Sequence, residues 1–234
     1  MTPSPDDASS RPLPRRVAVI GAAGGLGQGI LDVCRTEGIV FTAIVRGRPE
    51  RIADLPNDSR VAVVASLADR AALAVAFSGA DAVLTAMGVT ATSCERSALL
   101  SANMPAVEAA MNEAGGDRIV VINTLLSPLP GKPPGHALRF FSRMPGKMGR
   151  GASELRAVTD ALGNGALSSL RWTLVRAAVN SRGKDERPVA AMDWEGASNS
   201  WSPVSYRAMG RWMLEESVAN AFVGAAPLVS RRRR

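Results

Sequence analysis

With 234 residues the chain can form one well-buried domain but is too short for two of ordinary size, and its 46% apolar content with 22 glycines fits a globular protein. No apolar run is long enough to span a bilayer, so no membrane partner is expected. The net charge of +7 suggests nucleic-acid binding only until it is located. Arg231 to Arg234 carry four charges and Arg11, Arg15 and Arg16 against Asp6 and Asp7 carry one, leaving about +2 for the body, so no nucleic-acid partner is expected.

Residues 1–14 are rich in Ser, Pro, Asp and Arg and lack the apolar core of a signal peptide, so they read as a disordered tail on a cytoplasmic protein. Residues 15–230 are expected to form the domain, and 231–234 a basic, solvated tail. Cys34 and Cys94 show no metal or redox spacing, and the single histidine, His136, makes no cluster with them; no metal is expected.

From Arg15 to Ile30 a short apolar run, Val17 to Ile20, breaks into glycines and then resumes at helical spacing through Leu26, Ile30, Leu31 and Cys34. This predicts strand, tight turn, helix. Gly21 turns the chain out of the strand, Gly24 lets a diphosphate approach the backbone, and Gly27 lets the helix sit close on the sheet. Unpaired N–H groups at the helix start, with the positive end of its dipole, make an anion site without a charged side chain. The first gap of this Gly-x-x-Gly-x-x-Gly spacing is one residue longer than in the common dinucleotide fingerprint.

Gly38 is the expected C-cap, and 39–45 an apolar second strand buried on both faces. Arg46 follows it, where an NAD-selective site would carry an acid, and Arg48 and Arg51 stand close by; cations there favour a 2′-phosphate and hence NADP. Residues 60–65 are the third strand, 69–77 a short helix capped by Ser66, and 82–86 the fourth strand, ended by Met87, Gly88 and Val89. Residues 93–114 form a helix broken or restarted around Pro105, with Leu99, Leu100, Val107, Ala110 and Met111 buried.

The fifth strand, 119–122, opens onto Asn123 and Thr124. Five rounds of strand and helix predict an α/β fold, a doubly wound parallel sheet with helices on both faces, and ligands beyond the carboxyl ends of the strands. The turns at Gly21, Arg46, Gly88 and Asn123 should share one rim.

Between Pro128 and Gly151 periodicity fails among prolines, Leu138, Phe140, Phe141, Met144, Met148 and basic residues, which fits either a lid over the site or a helix packed on the domain edge. A helix at 153–162 and a sixth strand at 170–175 come next. A polar stretch, 183–200, follows, with 188–192 as an edge segment. A helix from Pro203 to Glu216, packed by Met209, Trp212 and Met213, and a last strand at 227–229 complete the chain. There are no internal repeats.

The glycine turn, Val45-Arg46, Gly79 to Val83, Gly88, Arg171 to Arg176 and Val204-Ser205 together resemble the atypical short-chain dehydrogenase/reductases, from about Arg16 to Val229. More narrowly they are similar to the NAD(P)H-binding, NmrA-like branch that includes flavin reductase/biliverdin reductase B. The resemblance implies a single Rossmann-like domain. With the strand ends, it gives the expected cofactor contacts: Gly21, Ala23, Gly24, Gly25, Leu26 and Gly27; Arg46 and Arg48; Ser66 and Leu67; Ala86, Met87 and Gly88; Asn123 and Thr124; Arg150; and Ala178. Arg150 enters because relatives carry a basic residue and a glutamate in this region, matched here by Arg150 and Glu154.

The Tyr-x-x-x-Lys pair of carbonyl-reducing relatives is absent, since the only tyrosine, Tyr206, is followed four residues on by Gly210 and lies in a different region. Leucine stands at Leu125 where a serine is common in relatives, Ala208 where an aspartate is common, and Ala177 where a proline is usual. Two functions are consistent with these departures. One is NADPH-dependent hydride transfer to a planar conjugated acceptor such as a flavin or quinone, with Thr124 and Ser127 as candidate hydrogen-bond donors. The other is a non-catalytic NADP(H) sensor with a protein partner. Nucleotide-sugar epimerase or dehydratase chemistry fits less well, given the short chain and the missing pair.

Overall fold

The computed structural model describes residues 12–56, 58–87, 100–192 and 203–231. Its core strand is β1 (Arg16–Ile20), in which Val17, Ala18 and Val19 are fully buried. Around it lie β2 (Val40–Val45), β3 (Arg60–Val63), β4 (Ala82–Thr85), β5 (Arg118–Thr124), β6 (Arg171–Ala177), β8 (Val189–Ala191) and β9 (Leu228–Ser230), in the order β3-β2-β1-β4-β5-β6-β9-β8. Every pairing is parallel except β8 with β9. The order reverses between β1 and β4, and the crevice that such a reversal opens is where α/β sheets bind ligands.

Alternation along β1 divides the core. Val17 and Val19 face α1 (Gly25–Glu37) and α6 (Tyr206–Ala219), whereas Ala18 and Ile20 face α2 (Arg70–Phe77), α3 (Leu100–Glu113) and α5 (Gly146–Gly163). A short α4 (His136–Ser142) packs on α5. Helices α1 and α6 meet almost backbone to backbone. A Cβ on Gly29 would stand 2.5 Å from the Tyr206 carbonyl, and one on Gly210 would stand 2.9 Å from the backbone of Ile30.

Several local expectations are corrected. Asp69, not Ser66, caps α2, its carboxylate accepting the Ala72 N–H at 3.0 Å; the Ser66 hydroxyl accepts the Ala68 N–H instead. Pro105 lies inside a continuous α3. Because proline has no N–H, the Ser101 carbonyl loses its intrahelical donor. Leu99 lies outside the described residues. Strands β5 and β6 run two residues further than expected, so Asn123 and Thr124 end a strand instead of forming a turn. The polar β7 (Val179–Lys184), which has no apolar alternation, bridges to Val204 at both ends. Arg231 is not a solvated tail residue, because its guanidinium donates to the Glu186 carboxylate at 3.1 to 3.3 Å. No helix among the described residues is long and apolar enough to cross a membrane.

Candidate functional site

At the carboxyl ends of β1, β2, β4, β5 and β6 lies a cavity of about 880 Å³. Its floor is the glycine turn. Gly21 takes φ 82°, a left-handed conformation that suits glycine, and a Cβ there would stand 3.0 Å from the Met87 side chain. Gly21 and Ala22 donate their N–H groups to the Ile44 carbonyl at 3.0 and 3.2 Å, and Gly24 donates to the Gly21 carbonyl at 3.0 Å. Gly24 caps α1 with no side-chain hydrogen bond, so the N–H groups of the first helical turn face the cavity end of the helix. Gln28 pins this turn to the loop after β2, its amide donating to the carbonyls of Ala22 at 3.0 Å and Arg51 at 3.3 Å.

Three of the four expected strand-end turns share this rim: Gly21, Arg46 and Asn123 line the cavity, whereas Gly88 lies outside the described residues. Ala23, Gly24, Gly25, Leu26, Arg48, Ser66, Leu67, Ala86, Met87, Thr124 and Ala178 line it as well. Gly27 does not. It sits behind the turn, where a Cβ would stand 2.5 Å from the Gly21 carbonyl oxygen, so it holds the turn against the helix. Arg150 is exposed on α5, away from the wall, and Ser127 is buried with its hydroxyl unbonded. The reach expected of these two side chains is therefore not what the structure gives.

The opposite side of the cavity is built by β5 and α5. The Asn123 amide donates to the Leu155 carbonyl at 3.1 Å and its oxygen accepts the Thr124 N–H at 2.8 Å, so it ties strand to helix and shapes the wall. The Glu154 carboxylate, 6% exposed, accepts the N–H of Ser101 at 3.0 Å and also its hydroxyl, anchoring the start of α3. Of the two readings of 128–151, the structure has the edge helix. None of the described side chains of this stretch lines the cavity, and Leu138 buries α4 against its neighbours while Phe140 is exposed.

Local sequence patterns missed Tyr206, Glu154, Leu100, Leu155, Val158 and Asn180, which all reach the cavity from downstream elements. The Arg150-to-Glu154 spacing was a signal for Glu154. Nothing local marked Tyr206.

A crevice at the sheet's reversal, a glycine turn that admits no Cβ at Gly27, and an uncapped helix N-terminus define a Rossmann-type dinucleotide-binding domain. The chain belongs to the NAD(P)H-binding family, whose model matches residues 21–215. No curated protein matches it. Among solved structures it is similar to a Rossmann-fold NAD(P)-binding family protein from Shigella flexneri, at 16% identity over 93% of each chain with a TM-score of 0.63. It is also similar to a short-chain dehydrogenase/reductase from Veillonella parvula in complex with NADP, at 18% identity over 94% of this chain and 95% of that one, TM-score 0.64. The oxidoreductase ylbE from Lactococcus lactis matches at 14% identity over 93% of this chain and 91% of that one, TM-score 0.63. These likenesses are of fold.

Proposed function

We propose that the protein is an NADPH-dependent reductase of a planar conjugated acceptor of the flavin or quinone type, on the NmrA-like branch of the atypical short-chain dehydrogenase/reductases. The observation that carries this reading is the division of the cavity wall. Arg46, Arg48 and Arg51 stand at the β2 end. On the other side of β1, the β5 and α5 end presents Met87, Leu100, Leu125, Leu155 and Val158.

At the β2 end the arginines match a 2′-phosphate. The one carboxylate in the described wall, Glu154, is on α5, far from where an acid would hold ribose hydroxyls. The glycine turn and the α1 N-terminus would hold the diphosphate. When bound, the nicotinamide supplies a hydride. The apolar end excludes water and offers flat surfaces for stacking, and Thr124 is the hydroxyl placed to orient an acceptor there. A conjugated acceptor spreads the incoming charge and takes its proton from water, so the missing Tyr-x-x-x-Lys pair is no obstacle. The NADP complex of the Veillonella parvula neighbour is consistent with the cofactor choice.

Leu125 in the wall, where relatives carry a polar residue, favours the sensor as a second reading. Ala208 does not add to it, because that residue is buried in the core and gives its N–H to the Ser205 cap at 3.0 Å. NADPH oxidation by the purified protein against a panel of flavins and quinones, with NADH run alongside, tests both. Turnover that requires NADPH is the expected result. Tight NADPH binding without turnover on any acceptor would replace the reductase with the sensor.

A further inference from the structure

Tyr206, the only tyrosine in the chain, is the first residue of α6, and its backbone lies against Gly29 of α1. From there the side chain runs one turn back along α1 toward its N-terminus. A Cβ on Gly25, the first residue of α1, would stand 2.5 and 2.6 Å from the ring atoms Cε2 and Cζ and 3.0 Å from the hydroxyl. The phenol therefore ends beside the N–H groups that open α1, in the cavity wall. Its hydroxyl has no hydrogen-bond partner among the described residues, while the ring itself is half-buried and held by packing. A half-buried hydroxyl aimed into a polar ligand site is a donor in waiting.

The charges of the wall say which part of a ligand it meets. The cations are Arg46, Arg48 and Arg51, all after β2, and the glycine turn has none. A diphosphate at the α1 N-terminus would meet backbone N–H groups and, among side chains beside Gly25, this phenol.

We propose that Tyr206 is a diphosphate clamp, its hydroxyl donating a hydrogen bond to the diphosphate of the bound dinucleotide; this rests on the NAD(P)H-binding reading of the cavity and on neither choice of acceptor. The role is binding, not proton transfer, because the lysine that follows a proton-donating tyrosine four residues on is replaced here by Gly210, where α6 touches α1. Glycine at position 25 is then required so that the ring can lie flat there.

Fluorescence titration of wild type and Tyr206→Phe with NADPH, NADH and adenosine 2′-monophosphate tests this. Phenylalanine keeps the packing on Gly25 and removes only the hydroxyl. Loss of a hydrogen bond to a charged group predicts about tenfold weaker binding of NADPH and of NADH alike. Adenosine 2′-monophosphate, which lacks the diphosphate, should bind both proteins equally. Unchanged dinucleotide affinity in the variant would overturn the clamp, as would an equal loss for adenosine 2′-monophosphate, which would mark a distorted site. Wild type that binds neither dinucleotide would overturn the reading beneath it as well.

Discussion

Arg118 on β5 and Glu216 on α6 form an ion pair of 3.0 Å inside the protein, their side chains 1% and 3% exposed. Burial lowers the guanidinium pKa to about 10, against the pull of the Glu216 charge that raises it. The pair persists because it is nearly saturated. Arg118 also donates to the carbonyls of Ile119, Arg171 and Glu216 and to the Thr173 hydroxyl, and Glu216 also accepts the Phe222 N–H at 2.9 Å. Glu216→Ala strands a buried cation and should cost about 3–5 kcal/mol of stability, read from the urea midpoint. Arg118→Met with Glu216→Leu should cost less than the two single changes together, and simple additivity would show that the charges are not coupled.

Gly27 tests the turn itself. Because a Cβ there would stand 2.5 Å from the Gly21 carbonyl oxygen and 2.6 Å from the backbone of Ala22, Gly27→Ala must move the turn away from α1. Neither neighbour is a flexible side-chain end. NADPH affinity should fall at least tenfold, with a lower melting temperature. At Gly38, the α1 C-cap at φ 70°, nothing lies within 4 Å, so Gly38→Ala should cost stability through backbone strain and leave affinity unchanged. Equal NADPH affinities in Gly27→Ala and wild type would show that the turn does not need its present shape.

The difference between those two glycines shows what the sequence makes legible. Position was enough for the turn, because an apolar run ending in glycines and a helical pattern are adjacent in the chain, and the doubly wound parallel sheet followed from repeated alternation with Gly and Asp as punctuation. Arg46 was legible for the same reason. Tyr206 was not, and Glu154 was marked only by its spacing from Arg150, because both reach the cavity through packing between distant elements: α6 on α1 through Gly25, Gly29 and Gly210, and α5 on the start of α3 through Ser101. Periodicity shows that a face is buried but not which helix it meets. The edge helix at 136–142 was obscured by prolines and by an exposed face, Arg139 and Phe140, that does not look amphipathic.

Arg46 lines the cavity immediately beyond β2, with Arg48 and Arg51. If these cations select a 2′-phosphate, Arg46→Glu should weaken NADPH about 10- to 100-fold while changing NADH little, since only the first loses an ionic hydrogen bond and gains a repulsion. Parallel titrations of both cofactors check this. Equal losses would place Arg46 outside cofactor choice.

Cys34 is fully buried in α1, and burial pushes its thiol pKa from 9.0 to about 12, offset in part by the Arg35 charge and by a backbone hydrogen bond. The folded chain therefore keeps a proton that the unfolded chain releases above pH 9. That contribution to stability is present in full below pH 9 and is lost as pH rises toward 12. Urea unfolding of wild type and Cys34→Ala at stepped pH separates it from other titrating groups, which both proteins share. The variant should be less stable at pH 7, from the lost packing of the thiol, but should decline less steeply above pH 9. In a Cys94→Ser background, native protein at pH 8 should resist alkylation until urea unfolds it. Equal slopes with rapid alkylation of native protein would mean that the thiol is open to solvent and that α1 does not pack as described.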